Sequence, residues 1–195
     1  MGVASPCGEA AFLIDGMDIR FLGKSLLLSL ALMALPAAAQ EAPPRLFYGQ
    51  IGVAEHRVHT EAVGVRLPWR SFGDGRWQLD ADLSIANWSS YPDEGGGSRR
   101  NILVLEATPA LRWQVGERWY LSGGIGATLA SHTFRNHGRR FSTSFNFATH
   151  VGAGVWLDAA RTHALELRLQ HVSNASIKKP NPGEDFLQLR YLHSF

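Results

Sequence analysis

The chain has 195 residues and a formal net charge of +2, with 19 lysines and arginines against 17 acidic residues. This near balance gives no sign of nucleic-acid binding. The one cysteine, Cys7, precedes the predicted mature protein, which excludes a disulfide framework and a lipid-anchoring cysteine there. Beyond residue 40 the sequence has no run long and apolar enough for a membrane helix, so membrane insertion would require a barrel.

The N-terminal region carries an export pattern. A short basic stretch is followed by an apolar run and, just before Gln40, by an A-x-A cleavage site. This pattern predicts a secretory signal peptide over residues 17–39. Residues 1–16 do not resemble a signal and are interpreted as an upstream mis-start. The mature chain, residues 40–195, is then long enough for a single domain.

Along the mature chain, apolar and polar residues alternate in eight segments separated by turn residues, as expected for strands with two different faces. The segments lie near 46–55, 62–72, 77–88, 101–115, 119–133, 143–158, 163–174 and 184–195. The third is the clearest, because Trp77, Leu79 and Leu83 alternate with Asp80 and Asp82.

The connections between the segments differ in length. Those at 73–76, 116–118 and 159–162 are short, those at 89–100, 134–142 and 175–183 are longer and polar, and 56–61 is intermediate. Short turns at one end, longer loops at the other and an even strand number are typical of outer-membrane barrels. We therefore expect an all-β fold, an eight-stranded antiparallel transmembrane β-barrel in the bacterial outer membrane.

The two faces of the segments differ in chemistry. The apolar face carries aromatic residues near the segment ends, as in the interfacial girdles of membrane proteins. The polar face carries charges of both signs, which would pair inside a narrow lumen. These charges are Arg66, Asp80, Asp82, Glu106, Arg112, Glu166, Arg168 and Arg190. A soluble lipocalin-like barrel with its apolar face inward is the alternative, and the girdles and the asymmetric loops favour the membrane barrel.

The seventh segment presents a histidine and a serine on its apolar face. His171 and Ser173 share the parity of Leu167 and Leu169, so they would face the outer leaflet with alpha carbons about 7 Å apart. Polar groups are costly on such a face unless they function. A serine nucleophile needs a neighbouring base, and the base needs a third group that fixes its tautomer. The pattern indicates a hydrolase site, and the alternative is a histidine and a serine with no catalytic role.

Two acids that begin the eighth segment are candidates for the third group. Asp185 has the outward parity of Leu187, and hence of His171, whereas Glu184 has the inward parity. Parity favours Asp185, but the register of a strand near a loop leaves both open. Backbone amides of the turn at residues 174–176 are the natural donors to an oxyanion.

The segment 171–183, HVSNASIKKPNPG, with the stretch 189–191 and the terminal Phe195, resembles the PagL-type lipid A 3-O-deacylases, which are eight-stranded outer-membrane barrels. The resemblance implies that Ser173 is the nucleophile and His171 the general base.

The resemblance also implies an acidic residue after the Asn-x-Gly loop. Ungapped counting favours Asp185, while the family's usual glutamate favours Glu184. Oxyanion or structural roles are implied for Asn174 and Asn181, and Ser176 stands where the family often has glycine.

The implied reaction removes the ester-linked 3-hydroxyacyl chain at the 3-position of lipid A, without a metal or other cofactor. The expected partners are lipopolysaccharide, outer-membrane lipid and a second copy of the chain in a homodimer, with no nucleic acid. A non-catalytic structural or adhesion-type barrel and an acyltransferase acting on lipid A are the alternatives.

Overall fold

The computed structural model describes residues 44–90, 100–136 and 139–195, with only the backbone at position 56. The predicted mis-start and signal peptide lie outside the described residues. The described residues form a closed antiparallel barrel of eight strands, which confirms the predicted fold. Its strands are β1 (Leu46–Ala54), β2 (Val58–Phe72), β3 (Trp77–Ser90), β4 (Arg100–Gln114), β5 (Trp119–Ala130), β8 (Phe145–Trp156), β9 (His163–Ser173) and β10 (Glu184–Ser194). A small hairpin of β6 (Arg135–Asn136) and β7 (Arg139–Arg140) lies between β5 and β8 in the chain.

Each strand pairs with its neighbour along the chain, and β1 closes the barrel against β10. Both described termini lie at the end of the barrel that carries the three short turns, since Leu46 of β1 pairs with Ser194 of β10. The longer connections, including the one between β9 and β10, therefore lie at the opposite end. The described residues contain no helix that is long and apolar enough to span a membrane.

Several strand boundaries differ from the predicted ones, most of them by one or two residues. The predicted connection at 56–61 is wrong, because a single 3-10 turn at Glu55–Arg57 is followed directly by β2 at Val58. The fifth strand ends at Ala130 rather than at 133, and the sixth barrel strand begins at Phe145 rather than at 143. Of the described residues between these two strands, 135–136 and 139–140 form the β6–β7 hairpin, which alternation over so few residues does not reveal.

The lumen is filled by paired charges, as the sequence predicts. Arg66 donates from Nη1 and Nη2 to the two carboxylate oxygens of Glu166, each at 2.9 Å. Asp82 accepts from Arg190 at 2.5 Å and from Arg66 at 3.3 Å, and Arg168 donates to Glu106 at 2.6 Å. Because these groups are almost fully buried, their charges require such partners.

Towards the end that carries the longer connections, the interior becomes apolar. The buried cluster there consists of Val58, Ala62, Ala86, Trp88, Ile102, Val104, Ala130, Phe134, Phe141, Ala148, Val172 and Phe186. Two of its members, Phe134 and Phe141, flank the β6–β7 hairpin, which is thereby anchored in the barrel interior. Packed apolar side chains therefore fill the interior at this end of the described barrel.

Candidate active site

The pairing of β9 with β10 and β8 determines which side chains meet at the outer end of the wall. His171 is opposite Asp185 of β10, and Ser173 is opposite Phe147 of β8. His171 and Asp185 face outward, with 51% and 75% of their side chains exposed. Ser173 has the same strand parity as His171 and is half-buried. The structure thus brings the predicted histidine, serine and aspartate to one patch of the outer barrel wall.

The imidazole of His171 is held by a carboxylate. Its Nδ1 lies 2.6 Å from Oδ1 of Asp185. A carboxylate can only accept a hydrogen bond, so the Nδ1–H of the ring donates to it. In the neutral ring, Nε2 then carries the lone pair, which is the protonation pattern of a general base whose second nitrogen is oriented by an acid.

Glu184 occupies a different environment, although it is the neighbour of Asp185. It pairs with Val172, is buried, and points into the barrel. Its Oε2 lies 3.6 Å from Nη1 of Arg139 in the β6–β7 hairpin. Because successive residues of a strand face opposite sides, one position separates an acid beside His171 from an acid inside the barrel. The parity of the sequence predicts both positions.

The two asparagines hold the loop that connects β9 to β10. The buried side chain of Asn174 donates from Nδ2 to the carbonyl of Lys178 at 2.7 Å and to Ser142 Oγ at 2.9 Å. The backbone amide of Asn174 donates to Oδ1 of Asn181 at 3.0 Å. That amide is therefore already used, in contrast to the expectation that it donates to an oxyanion.

The next two residues adopt left-handed backbone conformations. Ala175 has a φ of 52° and Ser176 a φ of 62°. Residues with a side chain adopt this region at a cost of about 1–2 kcal/mol, which glycine avoids. The turn therefore requires at Ser176 a backbone geometry that glycine would adopt without this cost.

Two residues of the site were not predicted from the sequence. Gly183, with a φ of 66°, lies against the imidazole of His171, and a Cβ built on it would be 2.9 Å from Cε1 of that ring. Arg139 contacts the same segment from the hairpin, donating to the carbonyls of Pro182 and Gly183. The glycine of an Asn-Pro-Gly stretch signals a turn, but nothing in the local sequence around Arg139 indicates its partner.

A shallow groove extends along the outer wall from the histidine–aspartate pair. Its outward-facing apolar lining consists of Val53, Val151, Leu169 and Leu187. The groove is open to the surroundings along the wall, so an extended apolar chain could lie in it next to His171. Within the part of the chain that the structure describes, no group of three or more histidine, cysteine or acidic side chains is arranged to hold a metal ion.

A family model and a curated relative both match this chain, and they indicate the same protein family. The model of the family described as lipid A 3-O-deacylase (PagL) matches residues 56–194, which include the whole patch. The lipid A deacylase PagL of Bordetella bronchiseptica is 36% identical over 186 residues, covering 91% of this chain and 100% of that protein.

Solved structures share the architecture. The crystal structure of the outer membrane enzyme PagL has a TM-score of 0.62 at 21% identity, covering 77% of this chain and 99% of that chain. Neisserial surface protein A has a TM-score of 0.53 at 8% identity, covering 77% and 94%. A de novo designed transmembrane β-barrel has a TM-score of 0.51 at 11% identity, covering 80% and 98%. At these identities, the structural matches support the barrel fold and nothing finer.

Proposed function

The chain belongs to the family of lipid A 3-O-deacylases (PagL), and we propose that it removes the 3-hydroxyacyl chain esterified at the 3-position of lipid A in the bacterial outer membrane. The observation that carries the proposal is the hydrogen-bonded pair of His171 and Asp185 on the outer barrel wall, on the same face and strand end as Ser173. Lipid A is a membrane lipid, so a hydrolase acting on it needs its reactive groups on that wall.

Ser173 is the nucleophile in this proposal. Its Oγ attacks the ester carbonyl carbon while its proton moves to Nε2 of His171. The tetrahedral intermediate collapses, the bond between the acyl carbon and the sugar oxygen breaks, and His171 delivers the proton to that oxygen. The sugar leaves with a free hydroxyl, and the acyl group stays as an ester on Ser173.

Water completes the reaction. His171 takes a proton from a water molecule, whose oxygen attacks the acyl carbon of the Ser173 ester. When that ester breaks, the proton returns to Ser173 Oγ, and a 3-hydroxy fatty acid is released. Asp185 accepts the Nδ1–H throughout, and so holds the tautomer and stabilises the imidazolium that forms twice in the cycle.

The oxyanion needs hydrogen-bond donors close to the nucleophile. The amide of Asn174 is engaged with Asn181, so we assign this role to the following amides of Ala175 and Ser176. Their consecutive left-handed conformations turn this backbone immediately after the strand end that bears Ser173. Asn174 and Asn181 support the site by holding the loop. The acyl chain lies in the groove lined by Leu169 and Leu187.

The test uses the purified barrel, folded in detergent and mixed with lipid A of known acylation. We expect the release of one equivalent of 3-hydroxy fatty acid and a product that has lost the chain at the 3-position, both identified by mass spectrometry. An unchanged lipid A would indicate a non-catalytic barrel. A gain of one acyl chain when phospholipid is added would indicate an acyltransferase, and either result would overturn the proposal.

The homodimer expected from the sequence stays a prediction.

A further inference from the structure

Arg139 forms a clamp on the segment that precedes Asp185. Its Nη2 donates to the carbonyl oxygens of Pro182 and Gly183, each at 2.9 Å, and its Nη1 lies 3.6 Å from Oε2 of Glu184. Three consecutive residues, 182–184, are thus held by one guanidinium. Charged donors make stronger hydrogen bonds than neutral ones, and the planar fork of arginine fixes the direction as well as the distance.

The clamped segment and the residue that follows it both contact the imidazole of His171. Gly183 lies against Cε1 of the ring, and Asp185, directly after the segment, accepts the hydrogen bond from Nδ1. A shift of residues 182–184 would therefore move a ring contact and the carboxylate together. The strand pairing of β10 with β9 begins only at Glu184, so the segment before it depends on contacts other than the barrel ladder.

The hairpin that carries Arg139 is itself firmly held. Phe134 and Phe141 are buried in the apolar cluster, and the amide of Phe141 donates to the carbonyl of Phe134 at 3.0 Å. The ring of Phe134 packs edge-on against Trp88 with centroids 5.7 Å apart. Next to the hairpin, Ser142 Oγ donates to the carbonyl of Lys178 at 2.7 Å, which ties the same connection to the β9–β10 loop.

We propose that Arg139 is a positioning residue of the deacylase site, holding residues 182–184 so that Gly183 and Asp185 keep the His171 ring in its reactive orientation. The inference rests on the proposed function. It assigns the β6–β7 hairpin a role in catalysis, in which Arg139 acts through residues 182–184 rather than on the substrate itself.

A cation at this end of the barrel could instead bind a phosphate of lipid A, and the two roles affect different constants. Loss of a phosphate contact raises KM and leaves the reactivity of Ser173 towards a small neutral reagent unchanged. Loss of positioning lowers kcat and also lowers the rate at which Ser173 reacts with that reagent, because both reactions need His171 to be aligned as the base. A neutral alkyl fluorophosphonate is suitable, since it carries no phosphate monoester for a cation to bind.

The experiment compares wild type with Arg139→Ala, Arg139→Lys and Arg140→Ala in the detergent-folded barrel. Arg140 is the matched control, because it lies next to Arg139 in β7 and is exposed. For each variant, kcat and KM on lipid A and the rate of fluorophosphonate labelling at Ser173 are measured. Folding is checked by the mobility difference between heated and unheated protein in gel electrophoresis.

We expect Arg139→Ala to lower kcat and the labelling rate about tenfold or more, since small misalignments of reacting groups have effects of this size. KM should stay within about twofold. Arg139→Lys, which keeps the charge but loses the fork, should regain part of both rates, and Arg140→Ala should label at the wild-type rate. A labelling rate of Arg139→Ala equal to wild type, or an effect on KM alone, would overturn the inference.

Removal of Arg139 leaves the buried Glu184 without this cation, so Arg139→Ala can fail to fold. The double variant Arg139→Ala with Glu184→Gln removes both charges and serves as the second test. Slow labelling in a folded double variant supports the inference, and wild-type labelling contradicts it. If wild type itself releases no fatty acid, the proposed function fails, whereas an active wild type with an equally active Arg139→Ala refutes only the role of Arg139.

Discussion

Gly183 lies against the edge of the His171 imidazole so closely that a single added methyl group would collide with the ring. A Cβ at this position would be 2.9 Å from Cε1, and the residue has a φ of 66°, which side-chain-bearing residues rarely adopt. The ring is therefore confined by backbone on one side and by the carboxylate of Asp185 at Nδ1.

The variant Gly183→Ala should therefore lose activity by displacing the ring. We expect kcat on lipid A to fall about tenfold or more, since displacement by a fraction of an ångström misaligns the base. The matched control is Gly75→Ala in the turn between β2 and β3, where φ is 79° but nothing lies within 4 Å of the added Cβ. The control experiences similar backbone strain without the collision, so equal kcat values for the two variants would contradict the account.

Removal of the charge at Asp185 should lower activity far more than removal of the charge at Glu184. Asp185→Ala leaves the imidazole tautomer unfixed, and we expect kcat to fall about 10⁴-fold, as in other serine hydrolases that lose the triad acid. Glu184→Gln keeps the volume of an inward-facing side chain and should retain activity within about threefold of wild type. Steady-state kinetics on lipid A measures both, and a larger loss in Glu184→Gln than in Asp185→Ala would reverse the assignment of the acid.

The buried charge network should make the barrel sensitive to the loss of Asp82. Its carboxylate lies within 4 Å of Arg66, Arg168 and Arg190, so Asp82→Asn leaves three buried guanidinium groups short of a negative charge. We expect the free energy of unfolding to fall by about 3–5 kcal/mol, the usual cost of breaking a buried ion pair. Urea unfolding in lipid vesicles, followed by tryptophan fluorescence, measures the change.

The control for this stability measurement is Asp74→Asn, which changes an exposed carboxylate in the turn between β2 and β3. An exposed substitution of this kind should stay within about 0.5 kcal/mol of wild type. Equal unfolding midpoints for Asp82→Asn and wild type would show that the lumen charges do not contribute to stability as argued.

Much of the architecture follows from the alternation of side chains along the strands. That one pattern predicts the number of strands, the charged lumen and the outward parity that His171 shares with Asp185. It also predicts that Glu184 points inward, because a strand offers only two faces. These features are local, so the order of residues within one segment is sufficient to reveal them.

The remaining features depend on contacts between distant parts of the chain. The β6–β7 hairpin consists of two residues in each strand, too few for alternation to be recognised. The carbonyl groups that Arg139 contacts lie more than forty positions away and carry no side-chain signature. The amide of Asn174 is engaged by Asn181 across a loop whose conformation the sequence pattern does not predict.

In our proposal, hydrolysis of the lipid A ester depends on the outward-facing Ser173 of β9. The most direct measurement of this dependence is the mass spectrum of lipid A from cells that express either the wild-type chain or Ser173→Ala at equal levels of folded barrel. We predict that the wild-type cells lose one 3-hydroxyacyl chain, while Ser173→Ala reduces deacylation by about 10³-fold or more and leaves the lipid A unchanged. Lipid A that is deacylated equally in both strains would contradict the account.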